Sequence, residues 1–393
     1  MTKKRKTSPF GRKFKLLLLV LLLAAVAGGF LGGVFFAGYA PKEVSQITQA
    51  AADTGNTLFS RLRNSMGFFL QKSEAGNLQF GEPIQVFFVP GQEPDESAAE
   101  EALAALINSA QKTIACAFYD FELEKIAHAL IARHADGVNV ALVSDSDYSG
   151  RPGLILCRDA GIPVIFDKRS ALMHNKFCVV DGQYVWTGST NITRNCMYDN
   201  NNNSILMASP ELAANFAAEF EEMFLQHQFG PRSPQNTRWP TVTVGDAEVE
   251  CYFAPEDGVQ EKIVARLEQA QKEIAFMAFV FTSESIAKTI TNRLKAGVRV
   301  RGVIEKRSAG SRHSRHTCLA EHGADIYIDG NPNTMHHKVI VVDGRLVMTG
   351  SYNFSAGADE KNDENLIIIH DTAIAAKFLE ETGKVIAVGN KCN

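Results

Sequence analysis

Two short segments of the chain each place a histidine two residues before a lysine, at the start of an apolar run. The pairs are His174 with Lys176 and His336 with Lys338. In a strand, residues i and i+2 point to the same face, so each pair presents an imidazole beside an ammonium group. An imidazole can attack phosphorus or transfer a proton, and a lysine can neutralise a phosphate oxygen. The two pairs are therefore typical of phosphodiester chemistry that requires no metal ion.

The pairs belong to an internal repeat. Residues 174–191 (HNKFCVVDGQYVWTGSTN) and 336–353 (HHKVIVVDGRLVMTGSYN) are identical at 11 of 18 positions. In each copy the apolar run ends at an Asp-Gly dipeptide, which favours a type I′ hairpin turn. We therefore interpret Asp181 and Asp343 as structural residues of the turn that support the site, and not as reacting groups.

The strand that returns from each turn ends in a cluster of small residues, TGST or TGSY. These clusters bring Ser189 and Asn191, or Ser351 and Asn353, back beside the histidines. The glycine in the cluster allows a backbone or a ligand to approach closely. Two copies packed face to face would enclose one pocket, in which lysines and amides hold the phosphate oxygens. One imidazole would attack phosphorus and the other would protonate the leaving oxygen.

Further blocks of the repeat lie upstream of each motif. The matching blocks are 110–121 with 270–281, 136–145 with 296–305, and 160–167 with 322–329. Short β-branched and aromatic runs alternate there with helical stretches such as ELEKIAHALIARHA, which favours an α/β sandwich with a largely parallel mixed sheet. We expect two such domains, over residues 83–228 and 249–389, joined by a polar, proline-containing linker over 229–248.

The N-terminal 40 residues combine a basic head with a long uncharged segment. Residues 1–15 hold seven Lys or Arg and no acid, and residues 16–40 hold no charge. A run of this length can span a bilayer as a helix, with its basic end in the cytoplasm. We expect a single-pass anchor in the cell membrane with the remainder outside, and a juxtamembrane helix or linker over 41–82. A signal peptide cleaved near AGYA, which would make the protein secreted, is the alternative.

Charge and cysteine content narrow the partners. After residue 15, 33 basic residues face 44 acidic ones, so the body gains little from counterion release, and a polynucleotide partner is disfavoured. The loop over 305–316, EKRSAGSRHSRH, is an exception that suits an anionic head group or a nucleic-acid backbone, with a solvated loop as the alternative. The seven cysteines lack C-x-x-C spacing and are interpreted as buried thiols, although an oxidising compartment would permit a bridge. We predict no cofactor, no metal ion and no obligate protein partner.

The two copies resemble the signature of the phospholipase D superfamily, H-x-K-x4-D-x6-G-S-x-N. The signature is matched at His174, Lys176, Asp181, Gly188, Ser189 and Asn191, and again at His336, Lys338, Asp343, Gly350, Ser351 and Asn353. The resemblance covers about residues 84–388. It implies two α/β/α domains related by pseudo-two-fold symmetry and a covalent phosphohistidine intermediate.

The resemblance also implies an acidic partner downstream of each histidine. Glu364 follows His336 by 28 residues, whereas the matching residue after His174 is Asn202. A carboxylate favours a protonated imidazole, and an amide orients the ring without adding charge. We therefore predict that His336, paired with Glu364, is the general acid. His174, oriented by Asn202, is then the nucleophile. Alternative orienting carboxylates are Asp199 and Asp363.

The leading hypothesis is a membrane-anchored phosphodiesterase that removes or exchanges a phospholipid head group, with residues 16–40 in the membrane. A metal-independent endonuclease of the same superfamily, acting on DNA or RNA, is the alternative. It is favoured by the short halves and by the resemblance of TGSYNFS and NDENLIII to endonuclease members. A cardiolipin synthase-like transphosphatidylase is a lesser alternative, because such relatives carry two membrane spans. A catalytically inactive binding module is disfavoured by the two complete motifs.

Overall fold

A computed structural model describes residues 81–91, 93 and 95–392, which all belong to one compact unit. They form a mixed α/β fold with two sheets, one in each half of the chain. The predicted tail over 1–15, the anchor over 16–40 and residues 41–80 of the juxtamembrane segment lie outside the described residues. None of the described helices has the length and the apolar character needed to cross a bilayer.

The first sheet has seven strands. They are β1 (Ile84–Val89), β2 (Thr113–Phe118), β3 (Asn139–Ser144), β4 (Val164–Phe166), β5 (Lys176–Val180), β6 (Tyr184–Gly188) and β7 (Asn202–Ala208). Their spatial order is β1-β7-β6-β5-β2-β3-β4. The strands that carry the motif, β5 and β6, therefore lie at the centre of the sheet, where neighbours on both sides hold them in register.

The second sheet has nine strands. They are β8 (Thr241–Val244), β9 (Ala247–Ala254), β10 (Glu273–Ala278), β11 (Arg299–Ile304), β12 (Asp325–Ile328), β13 (Lys338–Val342), β14 (Leu346–Gly350), β15 (Glu364–His370) and β16 (Asn390–Lys391). Their spatial order is β16-β12-β11-β10-β13-β14-β15-β9-β8. Strand β8 and the start of β9 lie within residues 229–248, so this predicted linker already contributes to the second sheet.

The sheets are largely antiparallel, and the prediction of a largely parallel sheet is wrong. Parallel pairing is confined to β2-β3-β4 and to β10-β11-β12. Each motif forms a hairpin, and a hairpin is necessarily antiparallel. The strands after the hairpins, β7 and β15, are also antiparallel to their neighbours. The strand-helix-strand alternation on which the prediction was based therefore gives parallel pairing only within these two trios of strands.

Helices cover the faces of the sheets. They are α1 (Ala98–Ser109), α2 (Glu124–Ala135), α3 (Pro152–Asp159), α4 (Pro210–Phe224), α5 (Val259–Glu268), α6 (Glu284–Lys295), α7 (Lys306–Ala309), α8 (His316–Glu321), α9 (Ala356–Glu360) and α10 (Thr372–Val388). Shorter turns are the 3-10 helices Ser146–Tyr148 and Gly230–Arg232 and the π-helix Asn195–Asp199.

Local sequence explains where α1 begins and which face it buries. The hydroxyl of Ser97 accepts from the N–H of Glu100 and caps the helix. Leu103, Leu106 and Ile107 recur at helical spacing and are fully buried in the core of the first half. Truncating one of these side chains to alanine would lower the free energy of unfolding by about 2–5 kcal/mol. The packing of α1 is therefore important for the stability of the sheet that carries the motif.

The two Asp-Gly dipeptides form the turns between β5 and β6 and between β13 and β14. Asp181 and Asp343 both have φ 53°, and the glycines that follow have φ 61° and 63°. Two successive positive φ angles are the requirement of a type I′ turn. Each aspartate carboxylate accepts three backbone N–H groups at the start of the neighbouring strand. Both aspartates therefore brace the sheet and do not enter the site.

Candidate functional site

Each motif histidine lies where the backbones of the two halves meet. The N–H of His174 donates to the carbonyl of Asp363 at 2.9 Å, and the N–H of His336 donates to the carbonyl of Asn201 at 2.8 Å. Residues preceding both histidines also form isolated bridges with the other half. The start of each motif strand is thus held by the opposite half, which gathers both motifs into one site.

The ring nitrogens of the histidines are also held across the halves. Nδ1 of His174 lies 2.6 Å from Oε2 of Glu364. Nδ1 of His336 lies 2.9 Å from Oδ1 of Asn202. The predicted pairing within each half is therefore wrong. Asn202 is the first residue of β7, and Glu364 is the first residue of β15. Each accepts from the histidine of the opposite half.

Asp363, one of the two alternative carboxylates, is used elsewhere. Asp363 forms an ion pair with Arg169 and accepts from the N–H of Gly230. Only its backbone carbonyl contacts His174. The side chain of Asp363 therefore ties the two halves together without orienting an imidazole.

The motif serines hold these acceptors. The hydroxyl of Ser189 donates to Oδ1 of Asn202 at 2.9 Å, and the hydroxyl of Ser351 donates to Oε2 of Glu364 at 2.7 Å. Each hydroxyl also accepts the N–H of the residue that follows the acceptor. Because both serines are fully buried and engaged, they position the acceptors of the histidines and are not free to act as nucleophiles.

The motif glycines allow β6 and β14 to approach their neighbours. A Cβ on Gly188 would lie 2.3 Å from the carbonyl oxygen of Asn203, and one on Gly350 would lie 2.3 Å from that of Asn365. Both glycines have positive φ, 144° and 150°, a conformation that other residues rarely adopt. Glycine is therefore required at both positions before the serines can be placed.

The two lysines are buried beside the histidines. Nζ of Lys176 donates to the carbonyl of His174 at 2.7 Å, and Nζ of Lys338 donates to that of His336 at 2.9 Å. Burial lowers the pKa of Lys176 to about 8 and lowers that of Lys338 well below its usual value. A buried cation that lacks a full counter-charge favours binding of an anion at this point.

Asn191 and Asn353 carry the unsatisfied groups of the site. The side-chain oxygen of each is buried and has no hydrogen-bond partner among the described residues. An unpartnered buried amide oxygen is costly, and the partner it needs is a donor, such as a hydroxyl group of a ligand or a water molecule. An amide also offers two N–H donors to a phosphate oxygen, so both residues suit direct contact with a ligand.

The electrostatics of the site favour neutral imidazoles. Burial, together with the positive charges of Lys176 and Lys338, lowers the pKa of His174 well below its usual value. The same causes lower the pKa of His336, and the charge of His174 also contributes. Each half therefore acts electrostatically on the histidine of the other. Burial also raises the pKa of Glu364, to about 7.

The sequence interpretation missed the aromatic rings that pack on the histidines. Tyr119 lies edge-on against His174 with ring centroids 4.7 Å apart, and Phe279 lies against His336 at 4.6 Å. The same rings lie 4.7 and 4.9 Å from the ammonium groups of the motif lysines. The signal was present in the repeat, because Tyr119 and Phe279 occupy matching positions of AQKTIACAFYDF and AQKEIAFMAFVF.

A network of amides behind the site was also missed. The side chain of Asn203 donates to Thr349 at 2.9 Å, and Thr187 donates to Asn365 at 2.8 Å. The amide of Asn365 also donates to Asn175, between His174 and Lys176. These contacts are reciprocal between the halves and fix the distance between the two motifs.

The described residues contain one cluster with the composition of a metal site, Glu248, Glu250 and His370. Glu250 is already bound by two nitrogens of Arg266 at 2.8 and 2.7 Å. The cluster lies on β9 and the end of β15, whereas the motif residues lie at the start of β15, so it is separate from the site.

Comparisons with known proteins identify relatives of both halves. The family model described as "Cardiolipin synthase, PLD-like domain" matches residues 103–224 and 263–386. A phospholipase D of Rickettsia prowazekii (strain Madrid E) is 32% identical over 161 residues, 41% of this chain and 78% of that protein. A mitochondrial cardiolipin hydrolase of Xenopus tropicalis is 31% identical over 136 residues, 34% of this chain and 65% of that protein.

The fold has a counterpart among solved structures. The phosphatidylserine synthase of Haemophilus influenzae Rd KW20 is similar with a TM-score of 0.61 at 15% identity, and the match covers 79% of this chain and 87% of that one. At this identity the likeness concerns the fold alone.

Proposed function

This chain belongs to the phospholipase D superfamily and is a phosphodiesterase, and we propose that it removes the head group of a phospholipid through a phosphohistidine intermediate. The observation that carries the proposal is the crossed pairing of the two buried imidazoles. Each Nδ1 is engaged by the opposite half, by Glu364 or by Asn202. Nε2 of each ring is then the nitrogen for chemistry, and that of His336 lies 3.2 Å from Nζ of Lys338.

In the proposed first step, Nε2 of His174 attacks phosphorus and the bond to the head-group oxygen breaks. The leaving oxygen takes the proton from Nε2 of His336, and the alcohol departs. In the second step His336 accepts a proton from water, and the resulting hydroxide attacks phosphorus and releases His174. The products are phosphatidic acid and the head-group alcohol. Lys176, Lys338, Asn191 and Asn353 hold the non-bridging oxygens throughout.

His174 remains the proposed nucleophile and His336 the proposed general acid, but not for the reason given by pairing each histidine with the acceptor of its own half. A carboxylate favours a protonated imidazole, and on this ground alone Glu364 would make His174 the acid. Burial and two lysines nevertheless lower the pKa of His174, so its ring is available as a neutral nucleophile. Once phosphorylated on Nε2, this ring carries a positive charge for the life of the intermediate, and Glu364 stabilises that charge.

His336, as the general acid, should have no carboxylate on its other ring nitrogen. An acid must release its proton at the transition state, and a carboxylate on its other nitrogen would hold that proton back. The neutral amide of Asn202 orients the ring without this cost. The charge of a bound phosphodiester would raise the pKa of His336 enough to protonate it when substrate is present.

The test of function uses the full-length protein in detergent with two classes of substrate. We expect release of head-group alcohol from phospholipid vesicles, and no release by His174→Ala. Cleavage of single-stranded or duplex nucleic acid without lipid turnover would replace the proposal with the endonuclease alternative. Formation of a new phosphodiester when an alcohol is added, in preference to hydrolysis, would favour the transphosphatidylase.

The proposed location is the outer side of the cell membrane, with residues 16–40 as a single anchor. It is supported by the seven basic residues before an uncharged run long enough to span a bilayer. Protease added to intact cells should remove the folded part and leave the N-terminal segment in the membrane. Recovery of the folded part in the medium would instead support a cleaved signal.

A further inference from the structure

The halves differ in the loop after the second strand of each parallel trio. After β3, residues 145–151 read DSDYSGR, with two aspartates and one arginine. After β11, residues 305–316 read EKRSAGSRHSRH, with one lysine, three arginines and two histidines against one glutamate. We call residues 305–316 the basic loop. Since the two loops occupy matching places in the repeat, one half serves as an internal reference for the other.

Backbone hydrogen bonds tie both ends of the basic loop to the segment that packs on His336. The N–H of Glu305 donates to the carbonyl of Ala278 at 3.1 Å, and the N–H of Arg315 donates to that of Phe281 at 3.0 Å. Between these two anchors stands Phe279, whose ring packs against His336. The basic loop therefore borders the site on the side of His336.

The charges of the two loops are used differently. In the first half, Arg151 is paired with Asp120 at 2.7 Å. In the basic loop, Lys306, Arg307 and Arg312 are exposed, and none forms an ion pair with another described residue. Arg315, the remaining arginine of the basic loop, is paired with Glu284 at 3.3 Å. Three cationic groups on the side of His336 are therefore available to a ligand, whereas Arg151 on the side of His174 is already engaged.

We propose that the basic loop binds the leaving group of the substrate, and that this head-group alcohol carries a negative charge of its own, such as a phosphate. The inference rests on the proposed function, in which His174 attacks in line and His336 protonates the leaving oxygen. The departing alcohol then moves towards the second half and meets the cations. Arginine binds phosphate oxygens through charge-assisted hydrogen bonds, whereas choline, a cation, would be repelled.

The test compares three lipids diluted into the same neutral vesicles: phosphatidylcholine, phosphatidylglycerol and phosphatidylglycerophosphate. Their leaving alcohols are cationic, neutral and anionic. For the full-length protein we expect the highest kcat/KM with phosphatidylglycerophosphate. The variant Lys306→Gln/Arg307→Gln/Arg312→Gln should lower the ratio of kcat/KM for this lipid to that for phosphatidylcholine about tenfold or more.

A matched variant removes the same charge at the other end of the strands. Lys272, Lys295 and Arg345 are exposed just before β10, at the end of α6 and in the turn between β13 and β14, and their replacement by glutamine should leave the ratio within about twofold, because charges beyond a Debye length are screened. An equal loss of ratio in both variants would indicate general attraction to the anionic lipid and would overturn the inference. An unchanged ratio in the basic-loop variant would also overturn it.

Failure of the proposed function gives a different result. If lipids are turned over in a His174-dependent way without preference among the three alcohols, the inference fails and the phospholipase function stands. If no lipid is turned over and an oligonucleotide is cut, both the lipid function and the lipid leaving group are overturned.

A second, independent observation concerns two thiols in the core of the first half. Cys116 on β2 and Cys178 on β5 are register partners, and their Sγ atoms lie 2.8 Å apart. Both side chains are fully buried. The matching partners in the second half are Phe276 and Ile340, so the pair is peculiar to one half.

The ladder geometry suits a bridge between them. Three residues further along, the N–H of Tyr119 donates to the carbonyl of Asn175. Hydrogen-bonded and non-hydrogen-bonded pairs alternate along an antiparallel ladder, so an odd offset makes Cys116 and Cys178 a non-hydrogen-bonded pair. The Cα atoms of such pairs lie about 4.5 Å apart, which is within the range that disulfides span.

We infer that Cys116 and Cys178 form a disulfide when the chain folds in contact with a disulfide oxidant. The two thiols lose two electrons and two protons, and the oxidant disulfide is reduced to two thiols. The bridge would join the strand that leads to Tyr119 with the strand that begins at Lys176, and so would fix the support of His174.

The test is alkylation of the full chain, produced in a bacterial host with an active disulfide-forming pathway, denatured in acid and mapped by peptide. Cys116 and Cys178 should be alkylated only after reduction, whereas Cys157 and Cys251 should react before it. In Cys116→Ala, Cys178 should become reactive without reduction. Alkylation of both thiols in the unreduced wild type would overturn the inference, as would a bridge from either thiol to Cys157.

Discussion

The two halves of this molecule share a motif and differ in what each lends to the other. The first half supplies an amide, Asn202, to the imidazole of the second, and the second supplies a carboxylate, Glu364, to the imidazole of the first. The ring that packs on His174 carries a hydroxyl, and the ring that packs on His336 does not. The internal repeat thus places one histidine at the same position in each half. The two histidines become chemically unequal because one has an amide partner and the other a carboxylate.

Under the proposed mechanism, the difference places a carboxylate beside the imidazole that stays positively charged for longer. A phosphorylated imidazole is cationic until water removes the phosphoryl group, so a carboxylate is useful beside it. An acid is cationic only until it donates its proton. The proposed difference between the halves can be tested by substituting the histidines and their partners one at a time.

The largest expected effect distinguishes the two histidines. With phospholipid, His174→Ala and His336→Ala should each lower kcat by about 10⁴-fold. With a p-nitrophenyl phosphodiester, whose leaving group needs no proton, His336→Ala should recover to within about 10²-fold of wild type, and His174→Ala should not. Steady-state release of p-nitrophenol measures both, and recovery of His174→Ala alone would reverse the roles.

The partners of the histidines should matter less and unequally. Glu364→Gln should lower kcat about 10²- to 10³-fold, because it removes the charge that stabilises the phosphorylated ring. Asn202→Asp should lower kcat about tenfold and move the alkaline limb of the pH profile upward, because a carboxylate raises the pKa of His336. The control Asn202→Gln keeps the amide. An equal loss in Glu364→Gln and Asn202→Asp without a pH shift would contradict the asymmetry.

The motif glycines should behave alike in the two halves. Gly188→Ala and Gly350→Ala should each lower the free energy of unfolding by about 3 kcal/mol or more, because the new Cβ meets a carbonyl oxygen at 2.3 Å and φ is positive. Gly383→Ala, in α10 with open space around it, should stabilise by about 0.5–1 kcal/mol. Denaturant unfolding measures all three, and tolerance of alanine at one motif glycine would show that the halves also differ in backbone.

The smallest expected effect is a pH dependence of stability from Glu364. Its pKa is raised to about 7 by burial, above the unfolded value of about 4.3. The folded state therefore binds more protons between these values, and this contribution to stability is present below about pH 4 and is lost as the pH rises to about 7. Glu364→Gln should reduce the loss of unfolding free energy between pH 5 and 7.5 by about 2 kcal/mol. Asn202→Ala is the control, and the same slope in wild type and Glu364→Gln would contradict the assignment.

Much of the site was readable from local pattern. The His-x-Lys spacing, the Asp-Gly turns and the clusters that carry Ser189 and Ser351 are short-range features, since a strand and a tight turn place side chains within a few residues of one another. The topology was only partly readable. Alternation of strands and helices predicted β2 to β4 and β10 to β12, but it overstated parallel pairing because the hairpins and the strands after them reverse direction.

The partner of each histidine could not be read in this way. Glu364 lies 28 residues after His336 and 190 after His174, and the nearer histidine is the natural choice when only spacing is known. The same limit hid the cross-half contacts of Asn203 and Asn365, because the amides face inward only after the two sheets have packed together.

By itself, the amino-acid sequence determined which groups are present twice, in what order, and which one was replaced, a carboxylate by an amide. Backbone periodicity is a local property, so it decides which side chains share a face of a strand. The tertiary structure alone decided that each imidazole takes its acceptor from the other half. Packing of the two sheets brings together atoms that are remote in the chain. Only in the packed structure does the amide of Asn202 contact His336 and affect its chemistry.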